Sequence, residues 1–66
     1  MVVCKLAILS FIFNEDLHGY DIGDLKDCIE FAQYELALGQ EKGFYGQEWK
    51  HFIKWAKHKI KEIEKM

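Results

Sequence analysis

The sequence predicts an all-α fold: a small three-helix module whose last two helices form an antiparallel hairpin, with residues 1–66 making a single helical domain. Three observations carry this. Five glycines and no proline punctuate the chain, leaving apolar segments at about 2–13, 24–38 and 47–64. The last two segments repeat their apolar residues at helical spacing. Half the residues are hydrophobic and 15% are aromatic, too apolar for a disordered chain.

Residues 2–13 hold only Lys5 and Ser10 as polar groups. β-branched Val2, Val3, Ile8 and Ile12 leave a strand open, with "LHGYDI" at 17–22 as the one candidate partner. The lack of alternation favours a helix that is apolar nearly all round and packed between other elements, ended by Asn14 and the acids after it. The run is too short to span a membrane, which takes about 20 apolar residues. It also lacks the basic start and small-residue cleavage site of a signal peptide.

In 24–38, Asp24 can cap the first N–H groups, and Asp24 and Asp27 place negative charge at the positive helix end. Gly39 sits where a left-handed C-terminal residue belongs. Leu25, Cys28, Ile29, Ala32 and Leu36 line one face. Phe31, Tyr34 and Leu38 line a second face that a two-helix hairpin leaves uncovered. Residues 47–64 form the clearest helix, with Trp49, Phe52, Ile53, Ala56, Ile60 and Ile63 in one stripe. The expected core is Leu25, Ile29, Ala32, Leu36, Phe52, Ile53, Ala56, Ile60 and Ile63. Trp55 lies about 90° off that stripe, at about 100° per residue.

Charge divides along the chain. Residues 1–43 carry three lysines against eight acids, and residues 44–66 carry six lysines against three. An acidic second helix beside a basic third favours antiparallel pairing, although exposed pairs contribute only about 0–1 kcal/mol each.

The segment "LAILSFIFNEDLHGYDIGDL", residues 6–25, resembles the first helix and turn of PadR-type winged-helix repressors, best in "LHGYDI". The likeness covers about a third of the chain. It implies a DNA-binding regulator with a recognition helix and a two-stranded wing. Here "DLKDCIEFAQYELALG" and a long amphipathic helix follow instead, so the DNA-reading positions of that family have no counterparts.

Candidate chemistry is sparse. Cys4 and Cys28 form no CxxC and read as reduced, buried thiols in a cytoplasmic protein. Ser10 lies in the apolar run, and Glu15 and Asp16 lie in an exposed turn, so no nucleophile is paired with a base. His51 and His58, about 10 Å apart along one helix, do not readily share a metal. His18 can reach Asp16 or Asp21. The expectation is therefore no enzyme, no cofactor and no metal.

Lys50, Lys54, Lys57, Lys61 and Lys65 form a basic edge on the last helix. The absence of arginine and the net charge of −2 argue against nucleic acid and for an acidic protein surface or a small phosphorylated ligand. "LGQEKGFYGQEW", Leu38 to Trp49, offers two uses of its rings. Phe44 and Tyr45 can plug the open end of the hairpin against Trp49, or Tyr45, Trp49 and Lys50 can stack and hold a base or peptide.

A core this small is marginal alone. Phe31, Tyr34, Leu38 and Trp55 are then partner-binding anchors, first in a symmetric homodimer. The expected function is a non-catalytic module that binds a larger protein and inhibits or regulates it, a type that phages often encode as inhibitors. The alternative is a small-ligand or nucleotide binder using Tyr45, Trp49, Lys50, Lys54, Lys57 and Lys61.

Overall fold

The computed structural model describes residues 2–15 and 19–65, with side chains in the first helix from Lys5 onward. The chain folds into three helices, α1 (Val2–Phe13), α2 (Ile22–Ala37) and α3 (Trp49–Lys65), with a short turn at Phe44–Gly46 before α3. The expected all-α fold and C-terminal helical hairpin are present. The buried state of Cys4 and the reach of His18 to Asp16 fall outside the described residues.

Residues 2–13 resolve as helix rather than strand. Ala7, Ile8 and Ser10 are buried, while Phe11 and Ile12 pack partly against the core. A strand here would leave its N–H groups without a ladder; a helix satisfies them within the segment. Asn14 closes it in a left-handed conformation (φ 52°), and the Glu15 N–H donates to the Ser10 carbonyl at 3.2 Å, the wrap of a Schellman motif. The Ser10 hydroxyl donates to the Glu15 carbonyl and lies 3.3 Å from the Tyr20 hydroxyl.

The cap of α2 is Asp21, not Asp24. The Asp24 N–H donates to Asp21 Oδ1 at 2.9 Å, and the Asp21 N–H donates to Asp24 Oδ2 at 3.1 Å. This reciprocal box satisfies two N–H donors and moves the start of the helix to Ile22. At the other end Gly39 (φ 90°) takes the expected left-handed position, with its N–H on the Leu36 carbonyl and that of Gln40 on the Glu35 carbonyl, both at 3.0 Å.

The core joins all three helices: Ala7 and Ile8 from α1, Leu25, Cys28, Ile29 and Ala32 from α2, and Trp49, Phe52 and Ala56 from α3. Leu36, Ile53, Ile60 and Ile63 are only partly buried, although the stripe expectation places them in the core. Leu36 and Ile63 fall on the buried stripes but close to the ends of their helices, and Ile53 and Ile60 lie toward the side of the α3 stripe. Trp55 departs the other way. α1 lays Phe11 against it at 5.7 Å between ring centroids, and Phe52 stacks on it at 5.8 Å, so the ring is half-buried rather than exposed. No helix among the described residues is long and apolar enough to cross a membrane.

Candidate functional site

The connector between α2 and α3 folds back on itself. Lys42 and Glu48 form an antiparallel bridge, and the Gly43 N–H donates to the Gln47 carbonyl at 2.7 Å. At the tip Tyr45 (φ 57°, ψ 27°) and Gly46 (φ 74°) both have positive φ, and the Gln47 N–H donates to the Phe44 carbonyl at 3.2 Å. Two successive left-handed residues closed by this bond are the marks of a type I′ turn, which prefers Asn-Gly. Here tyrosine occupies the first left-handed place, and 73% of it is exposed. Phe13, from the end of α1 and 57% exposed, stands 6.3 Å from the Tyr45 ring. Phe44, 49% exposed, meets Trp49 in a T-shaped contact with ring centroids 6.2 Å apart. Three open aromatics therefore gather around this tip.

The two uses of these rings separate. Phe44 covers Trp49, as a plug would, and Tyr45 does not. Trp49 is buried, ringed edge-on by Phe31 at 5.7 Å and Phe52 at 5.9 Å. The backbone of Gly43 lies so close that a Cβ there would fall 2.4 Å from the indole. Trp49 Nε1 has no hydrogen-bond partner among the described residues. With its ring sealed, Trp49 has no open face on which a base could stack, so the corner of Tyr45, Trp49 and Lys50 is not assembled as a stacking site.

A second surface runs along α3. His51, Lys54, Trp55, Lys57, His58 and Lys61, all on α3, form a shallow, open groove of about 610 Å³ along its outer face, with no wall from another helix among the described residues. It holds three lysines of the expected basic edge together with one expected partner-binding ring, while Lys50 lies instead by Leu36, Glu41, Lys42 and Glu48. His51 lies 3.4 Å from Glu48 and His58 3.0 Å from Glu62. Lys59 Nζ sits 5.8 Å from the Trp55 ring centre.

The remaining expected anchors are on α2 and at its C-cap, Leu38. Tyr34 and Leu38 are 61% and 59% exposed, and Phe31 is half-buried against Trp49. The sequence reading missed Phe13. It is the last residue of an apolar run, and no pattern within the run distinguishes an open ring from a buried one.

No family model matches the chain, and no significant match is found to a curated protein or to a solved structure. Where the repressor likeness implies a two-stranded wing, the structure places the Lys42–Glu48 bridge and then α3.

Proposed function

We propose that this chain is a non-catalytic interaction module that docks on a larger protein through its aromatic tip and so inhibits or regulates it. The observation that carries the reading is Tyr45: a tyrosine held in a left-handed turn position with most of its ring open. A side chain in that conformation costs about 1–2 kcal/mol, and an exposed ring recovers little of this by burial. A tyrosine at that position fits contact with something outside the chain. Aromatic side chains with few rotatable bonds are strong interface anchors, and Phe13 and Phe44 extend the patch. The non-catalytic part has its own support. Ser10 and Cys28 are each 1% exposed, and the Ser10 hydroxyl is already bonded to the Glu15 carbonyl.

The test is a comparative affinity capture from the native host with the wild-type chain and with Tyr45→Asn, which suits the turn and keeps the fold. The expected result is one dominant protein retained by the wild type and at least tenfold depleted with the variant. Equal retention by both, or background alone with the wild type, removes this reading.

A further inference from the structure

The charge division of the sequence becomes a two-sided pattern in three dimensions. On α2 the buried stripe is Leu25, Cys28, Ile29 and Ala32. At about 100° per residue, Asp27, Tyr34 and Leu38 point about 150° away from it, with Glu30 beside them. All four are exposed. On α3 the buried stripe is Trp49, Phe52 and Ala56, and His51, Lys54, His58 and Lys61 lie roughly opposite it. The hairpin packs these buried stripes together, so its acidic-apolar face and its basic groove look away from each other. Among the described residues no ion pair within the chain engages Asp27, Glu30, Lys54 or Lys61.

We propose that the α3 groove of one copy takes the α2 outer face of a second copy, head to tail. The chemistry matches. The groove offers lysine tips around the half-buried Trp55 ring, and the α2 face offers two carboxylates and two open apolar side chains. The lengths match as well. Asp27 and Tyr34 are seven residues apart and Trp55 and Lys61 six, about 10 Å along either helix. The two helices of a hairpin are antiparallel, so a copy displaced sideways brings its α2 antiparallel to the α3 of its neighbour without turning over. That register sets Asp27 at Lys61, Glu30 at His58 and Tyr34 at Trp55. The helix dipoles then oppose each other, and the exposed phenol meets the half-covered indole. Because the two faces lie on opposite sides, the contact does not close on two copies. It continues into a ring or a row, in place of the symmetric dimer expected from composition.

This inference goes beyond docking through the tip and uses other residues, so the two can fail separately. Sedimentation of the purified chain reads it directly. At low salt the weight-average mass should rise with concentration from the 7.8 kDa of one chain past that of a dimer. Raising salt to about 0.5 M should return it to a single chain, since the contact relies on exposed charge. Lys54→Glu with Lys61→Glu should abolish association, as should Asp27→Lys with Glu30→Lys. Each double variant keeps one intact face, and the two reversed faces are complementary in charge to each other, so mixing the two should restore the association that neither shows alone. Tyr45→Asn should associate like the wild type. A wild type that stays monomeric up to about 1 mM, a range that covers weak contacts, overturns the proposal. So does a wild type that halts at a dimer, a charge-reversed variant that still associates alone, or a mixture that stays monomeric. Circular dichroism of each variant confirms that its helices are intact.

Discussion

Tyr45 and Gly43 sit two residues apart and respond oppositely to substitution. At Tyr45 the backbone is left-handed, and asparagine tolerates that conformation far better than tyrosine. Tyr45→Asn should therefore stabilise the fold by about 1 kcal/mol, raising the melting midpoint by about 4–8 °C for a chain of this size; thermal unfolding followed by circular dichroism checks it. At Gly43 the constraint is space. The added methyl of Gly43→Ala would stand 2.4 to 2.8 Å from three atoms of the Trp49 ring. Overpacking of this kind costs about 1–3 kcal/mol, read as a lower urea midpoint at unchanged slope. The sequence shows two glycines flanking two rings and so foretells a tight turn with an aromatic contact. It does not show which ring is covered. That depends on Gly43 lying flat against Trp49, a contact set by how α3 rolls on α2. The same contact closes Trp49 to ligands, which helical spacing alone cannot reveal.

The ends of the helices are written in local chemistry, and their faces are decided by neighbours. Asp21 and Asp24 both suit a helix start, and a cap at Asp24 would begin α2 three residues after the observed Ile22. Only the reciprocal bonds between the two distinguish cap from partner. Asp21→Ala should cost about 1 kcal/mol. Replacing Asp24 as well should add less than its separate effect, because the two act as one unit; a double-mutant cycle in urea measures the difference. Asn14 and Gly39 were legible as stops because left-handed ends favour those residue types. The faces of α1 were not legible. Its apolar groups surround the whole helix, so no stripe in the sequence tells that Ala7, Ile8 and Ser10 turn inward while Phe13 stays open.

The whole molecule depends on α1 more than a hairpin-first reading allows. Trp55 is uncovered in an isolated pair of helices, and Phe11 of α1 supplies the missing cover. Phe11 also meets Phe52 edge-on at 5.6 Å, so a single side chain ties α1 to the centre of α3. Phe11→Ala should destabilise the fold by about 2–3 kcal/mol, below the usual range of about 3–5 kcal/mol for a fully buried phenylalanine, because Phe11 is only partly buried. In a chain this small that is a large share of the total, and the urea midpoint should fall accordingly. The unequal settings of the two indoles give the protein an internal optical gauge. Trp49, sealed beneath Gly43 and Phe44, should emit at short wavelength and resist iodide quenching. Trp55, at the rim of the basic groove, should emit further to the red and be quenched first. Light from a single unlabelled chain can then report which surface has been occupied: an occupant of the groove shields the red component, and one at the tip leaves it unshielded.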